Sequence, residues 1–351
     1  MRRARRRVDM IYPDFLKKGD IIGVTAPSGG VTKECDIFCF KAAKRKLEAR
    51  GYRVIFTDNV FMSDDLGRST DSLTRAKEFM ELIENKEVKY ICSAKGGDFL
   101  MEILPYLDFD VIKKNPKWIQ GYSDNTILTY NIATKCDIAT VYGNNFGCYG
   151  MEEYHPSILR NLEIIEGKRS EQTSFDYYEN EFYDKITGTE SFRQDLPVNI
   201  FAKGVSGEST VEFSGRLIGG CLDVVMDNLG NGFEDTKTFL DKYKKDGIIW
   251  FLESFAATSD TVIRNMWKLK QIGFFENTTG IIFGREMFFT KTYERDFAES
   301  IFEVLKELEI PLIFGADIGH KAPQMTMITG ALANVKYESG KINMTIKYKE
   351  K

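Results

Sequence analysis

The strongest constraint on the fold is a repeated change of hydrophobic period along the first part of the chain. Ile21-Ile22-Gly23-Val24-Thr25-Ala26 is a short apolar run that ends in the turn Pro27-Ser28-Gly29-Gly30. Residues 33–50 then carry helical spacing and close at Gly51. The switch recurs. Tyr52–Thr57, Val88–Ala94, Trp118–Tyr122 and Ala139–Tyr142 read as strands, with helices over 70–85 and 125–135. Strand then helix, repeated, specifies a mostly parallel sheet with helices on both faces.

The alternation breaks between about residues 152 and 200, a polar stretch rich in aromatic and turn residues. It reads as a linker plus an excursion. Beyond it the pattern is mixed. Gly247–Leu252, Gly280–Phe283 and Pro311–Phe314 are short apolar strands, with helices over 259–273 and 294–309. Ala333–Tyr348 alternates as a terminal hairpin does. The fold class is therefore α/β. An N-terminal domain spans 10–165, a linker with an aromatic excursion spans 166–204, and a C-terminal mixed α/β domain spans 205–351.

A chain of 351 residues is long enough for two cores. Hydrophobic residues make up 43% and charged residues 28%, an ordinary globular composition. The charge balance, 48 − 52 = −4, gives no support for a nucleic-acid partner. No apolar run is long enough to span a membrane. The opening MRRARRRVDM is basic, but Ile11-Tyr12-Pro13-Asp14 follows it in place of a secretory apolar core. It reads as a tail, or as an upstream start ahead of Met10, in preference to a nucleic-acid arm. Six cysteines in a long chain without an export signal read as reduced thiols in a cytoplasmic protein. There is no C-x-x-C pair, and no histidine near Cys35 and Cys39, so no metal site is expected.

Histidine is the usual general base near neutral pH, and there are only two. His155, in Glu152-Glu153-Tyr154-His155-Pro156, reads as a surface loop residue. His320, in Gly315-Ala316-Asp317-Ile318-Gly319-His320, lies just past a strand, where α/β proteins place their chemistry. Gly121-Tyr122-Ser123-Asp124-Asn125 joins a strand to a helix through a serine, half-matching a nucleophile elbow. It equally suits a helix N-cap. Ile248–Glu253 is an apolar strand that ends in an acid, either a solvated carboxylate or one that orients an imidazole. Lys95-Gly96-Gly97-Asp98 is a tight turn or a source of an oxyanion N–H. Gly29-Gly30 lacks the spacing of a phosphate loop.

In order, these segments resemble the LD-carboxypeptidase family of serine peptidases, which includes the microcin C self-immunity proteins. The resemblance rests on Lys18–Ser28, Lys95-Gly96-Gly97, Gly121-Tyr122-Ser123-Asp124, Leu217-Ile218-Gly219-Gly220, Leu252-Glu253, Gly284-Arg285 and Gly315–His320. It implies Ser123 as nucleophile, His320 as general base and Glu253 as the orienting acid, with oxyanion N–H groups from Gly97 and Asp124. It implies no cofactor, a homodimer, and a small peptide, muropeptide or aminoacyl-nucleotide substrate with a free carboxylate next to the scissile amide. Two features depart from the family pattern. Asp98-Phe99 follow the paired glycines, and the excursion carries Phe175, Tyr177, Tyr178 and Phe182 where the immunity branch has tryptophans. Gly219-Gly220-Cys221-Leu222 is closer to that branch. Tyr177 and Tyr178 are accordingly read as a substrate-facing lid, with a satellite core under a long loop as the alternative. The rival to an enzyme is a two-domain α/β binding protein, in which Ser123, Glu253 and His320 would lie apart.

Overall fold

The computed structural model describes residues 9–204 and 210–348. The basic segment Met1–Val8 lies outside them. The alternating first half folds as its period requires. Strands Ile21–Thr25, Arg53–Phe56, Val88–Ser93, Trp118–Gly121 and Thr140–Tyr142 form a parallel sheet. Numbered along the chain, these five strands lie in the order 2-1-3-4-5. Between the first and third the connections leave in opposite directions, which opens a crevice at the carboxyl ends of the strands. The turns at Pro27–Gly30 and Lys95–Asp98 meet at that crevice, where the Gly29 N–H donates to the Gly96 carbonyl at 3.1 Å.

The helices are held by ordinary local signals. Helix Glu34–Ala49 has Glu34 and Asp36 in its first turn and Lys46 in its last, matching the helix dipole. It buries Cys39, Phe40, Ala42, Ala43 and Leu47. Helix Ser72–Glu84 is capped by Asp71, whose carboxylate accepts from Thr74 N–H.

The second sheet has eight strands. Its centre is parallel: Thr210–Cys221, Ile248–Glu253, Thr278–Gly284 and Leu312–Ala316. The hairpin Leu332–Glu338 and Lys341–Lys347 joins it antiparallel. The 166–204 segment is more than a connection, because Glu171–Thr173 and Phe201–Lys203 form the two edges of this sheet. In return, Met327–Thr329 pairs with Thr140–Tyr142 and extends the first sheet. The two halves therefore exchange strands, and one apolar cluster runs through both, from Trp118 and Tyr142 to Trp250 and Ile313.

Two elements escape the sequence pattern. Strand Thr210–Cys221 is interrupted by Gly215, Gly219 and Gly220, which blur its apolar run. Gly219 is there for space: a Cβ would lie 1.7 Å from the Phe251 carbonyl oxygen on the neighbouring strand. Helix Pro156–Ile165 begins inside the stretch read as irregular. Pro156 stands in its first turn, where its missing N–H costs nothing.

Candidate active site

The nucleophile candidate is presented by local geometry. Strand Trp118–Gly121 is paired up to its last residue, and Ser123, two residues on, adopts φ +66 before helix Thr126–Cys136 begins. A non-glycine residue in this region is strained, and strain of this kind gathers at functional sites. The surroundings enforce it. A Cβ on Gly121 would lie 2.7 Å from the Asn125 Cβ, so only glycine admits the turn. Asn125 donates to the carbonyls of Lys95 and Tyr122 at 3.0 and 3.1 Å. Thr126 Oγ1 donates to the Ser123 carbonyl at 2.6 Å and accepts from Cys221 N–H at 3.1 Å. This hydroxyl ties the serine turn to the second sheet.

Asp124 is buried and turned away from the cleft. Its carboxylate accepts from Ser28 Oγ at 2.5 Å and Leu100 N–H at 2.9 Å. Burial raises its pKa above the ordinary carboxylate value despite these bonds. Gly96 lies against the serine, since a Cβ there would lie 3.1 Å from Ser123 Oγ.

The imidazole and the second carboxylate come from the other half. His320 Nε2 lies 2.9 Å from Ser123 Oγ, and Nδ1 lies 2.9 Å from Glu253 Oε2. Glu253 ends strand Ile248–Glu253 and is 1% exposed. Burial pushes its pKa up, but the charge and hydrogen bond of His320 and the hydrogen bonds of Tyr142 and Cys221 outweigh it, leaving the carboxyl below its ordinary value. An ionised carboxylate only accepts. Nδ1 therefore carries the proton, and Nε2 is free to accept from the serine hydroxyl. Gly319 leaves room for this contact: it has φ +101, and a Cβ would lie 2.6 Å from Glu253 Oε2.

Two further residues hold the constellation, and neither is given a role by the sequence. Tyr142, fully buried at the end of its strand, donates to Glu253 Oε1 at 2.6 Å and accepts from Ser123 N–H at 3.3 Å. Burial and the Glu253 charge push its pKa well up, so it stays a neutral donor. Arg285 braces the histidine loop. It donates to Asp317 Oδ1 at 2.5 Å and to the carbonyls of Lys321 and Pro323 at 2.7 and 2.9 Å. Gly284-Arg285 was one of the motif segments, which was the only signal for it. Rings of Phe255 and Tyr122 flank the His320 ring at 4.6 and 5.1 Å.

A cavity of about 380 Å³ opens over Ser123, lined by Gly96, Gly97, Asp98, Asn145, Phe182, Phe255 and His320 among others. From the aromatic excursion it is Phe182 that reaches this cavity. Tyr178 lies under the Arg285 guanidinium, 4.7 Å from ring centre, and lines a separate cavity, while Tyr177 is exposed. His155 is not a surface loop residue. It is buried, caps helix Pro156–Ile165 by accepting from Ser157 N–H at 3.2 Å, and is flanked by the rings of Phe175 and Phe192. Burial and nearby Arg160 lower its pKa to about 4. The excursion folds back and covers it, which sequence proximity could not show. Among the described residues no group of three or more His, Cys, Asp or Glu is placed to hold a metal ion, and no helix is long and apolar enough to cross a membrane.

A hydroxyl within reach of an imidazole that a buried carboxylate orients is the arrangement nucleophilic acyl transfer requires. The family comparison agrees with that class. The LD-carboxypeptidase N-terminal domain matches residues 22–143, and the LD-carboxypeptidase C-terminal domain matches 214–335. The chain belongs to the LD-carboxypeptidase family, and is an enzyme of the serine-type carboxypeptidase class. It is 28% identical to the microcin C7 self-immunity protein MccF of Escherichia coli, over 95% of each chain. It is 24% identical to the probable murein peptide carboxypeptidase of Bacillus subtilis, over 92% of this chain and 90% of that one. The structure of MccF in complex with aspartyl sulfamoyl adenosine superposes with a TM-score of 0.79 at 27% identity, covering 97% of this chain and 100% of that one.

Proposed function

We propose that the protein hydrolyses an amide next to a free carboxylate through an acyl-enzyme on Ser123. The observation that carries this reading is the position of His320, 2.9 Å from both Ser123 Oγ and Glu253 Oε2. His320 takes the serine proton as Oγ attacks the carbonyl carbon. Glu253 holds the imidazole in the required tautomer and stabilises the imidazolium that forms. The backbone N–H groups of Asp124 and Gly97 receive the oxyanion, and each such donor lowers the barrier by roughly 3 kcal/mol. His320 then protonates the leaving amine, and water, activated by the same imidazole, releases the acid.

The substrates are small. We assign an immunity-like specificity that accepts both aminoacyl-nucleotide analogues and LD-linked peptides, in line with the relatives named above. The exposed rings Phe182 and Phe255 at the mouth of the cavity supply a face for a planar leaving group, with Tyr177 and Tyr178 holding the excursion beside them. The enzyme acts as a homodimer in the cytoplasm, a reducing compartment that suits its six unpaired thiols. The test is to assay Ser123→Ala on both substrate classes. Turnover should vanish while the thermal midpoint stays within a few degrees of wild type. Retention of more than a few per cent of the rate would remove Ser123 as nucleophile.

A further inference from the structure

Ser123 stands where two cavities meet. Gly97, Asp98, Ser123 and Phe255 line both. The two differ in charge. The larger has one cation, Lys95, and one carboxylate, Asp98, in its lining. The smaller, about 200 Å³, is lined by Asp98, Asp124, Asp223 and Asp227, with neither lysine nor arginine. A substrate anion placed there would lie among Asp98, Asp223 and Asp227, the Asp124 carboxylate being taken up by Ser28 and Leu100, and like charges in a partly desolvated space repel. The carboxylate end of the substrate is thereby excluded from one side of the nucleophile.

Lys95 is placed to receive it on the other side. It directly precedes Gly96, whose missing Cβ would lie 3.1 Å from Ser123 Oγ. Its backbone is fixed, because the Lys95 carbonyl accepts from Asn125 Nδ2 at 3.0 Å. Its ammonium has no ion-pair partner among the described residues. The buried arginines nearby are committed: Arg285 to Asp317, and Arg75 to Glu102. A lysine is a compact charge on a flexible stem, suited to a carboxylate whose position shifts as the amide is attacked.

We propose that Lys95 determines specificity by holding the free carboxylate of the leaving group, and that the acidic lining of the smaller cavity, set against Lys95 in the larger, fixes the direction in which the amide lies across Ser123. The proposal rests on the hydrolase reading and names the cation that reading requires. Among the substrates proposed above it favours those with an anion on the leaving side and a neutral or cationic acyl residue.

The experiment compares N-acetyl-L-lysyl-D-alanine with its C-terminal carboxamide. In wild type the specificity constant should favour the free carboxylate by tenfold or more, the size expected of a hydrogen-bonded charge pair. In Lys95→Met that ratio should fall to about one, chiefly through KM, and Lys95→Arg should restore most of it. A ratio unchanged in Lys95→Met overturns the proposal. The same two peptides are titrated calorimetrically into Ser123→Ala and Ser123→Ala/Lys95→Met. A carboxylate preference that depends on Lys95 supports the proposal even if Ser123→Ala still turns substrate over, a result that would remove only the nucleophile assignment. Absence of that preference in a catalytically dead Ser123→Ala removes Lys95 and leaves the nucleophile standing.

Discussion

The serine turn and the excursion across the cleft are built in opposite ways. Around Ser123 every main-chain turn is held by several fixed partners: Gly121 by sterics, Asn125 by two carbonyls, and Thr126 by a bond to the second sheet. The 174–199 stretch has one short hairpin of its own, Tyr177–Tyr178 with Leu196–Pro197, and is otherwise held by scattered side-chain contacts and isolated backbone bonds, such as Glu179 N–H to the Ala322 carbonyl at 2.7 Å. The difference separates two tasks. A group that must meet an imidazole at 2.9 Å needs an over-determined backbone. A surface that stacks on a leaving group needs only area and tolerates adjustment. Substitutions in the first region should therefore act on kcat, and those in the second on KM or stability.

The largest effect expected inside the rigid region, apart from loss of the nucleophile or of the base His320, is at Glu253. Glu253→Gln keeps the shape but lets the imidazole adopt the wrong tautomer, and kcat should drop about 10³- to 10⁴-fold with the fold intact. Near-wild-type kcat would show that the carboxylate is scaffolding. Tyr142→Phe comes next. It removes the donor to Glu253 Oε1 and the acceptor for Ser123 N–H, and should lower kcat about tenfold with KM little changed. A kcat equal to wild type would reduce Tyr142 to packing.

Effects in the excursion should be smaller and of a different kind. Phe182→Ala should raise KM for an aminoacyl-nucleotide analogue by about tenfold, in proportion to a lost stacking face, and affect a bare LD-linked peptide less. Tyr177→Ala/Tyr178→Ala should change both substrates by less than Phe182→Ala does. The opposite ranking would return the stacking role to the tyrosines.

The smallest effect concerns stability. His155 is buried with its pKa lowered to about 4, so the unfolded chain binds its proton more readily than the folded one. Its contribution is complete above the unfolded histidine pKa of about 6.5 and is lost as pH falls through the folded value, by up to about 3 kcal/mol. His155→Asn keeps a capping group that cannot titrate, and should flatten that part of the stability curve without touching kcat. An unaltered pH dependence would place the acid sensitivity elsewhere.

The same contrast explains what could be read from the sequence. Ser123, Glu253 and His320 each end a strand or follow one, and strands of buried apolar residues announce themselves by period alone. Asp124 was legible as a turn residue, but the Ser28 and Leu100 partners of its carboxylate come from other turns of the sheet. Tyr142 looked like one more core aromatic at the end of a strand, because its Glu253 partner lies more than a hundred residues away in sequence. His155 looked exposed because its neighbours are polar. The rings that bury it, Phe175 and Phe192, arrive only when the excursion closes. The strand Thr210–Cys221 was hidden by glycines whose reason is a neighbouring carbonyl.

The central claim, that Ser123 is the group activated by His320, is tested most directly by covalent trapping. The protein is treated with a fluorophosphonate and the modified peptide is located by mass spectrometry. A single adduct on Ser123, absent in Ser123→Ala and formed far more slowly in His320→Ala, is the predicted result. An adduct on another residue, or labelling of Ser123 at an unchanged rate in His320→Ala, would contradict the account.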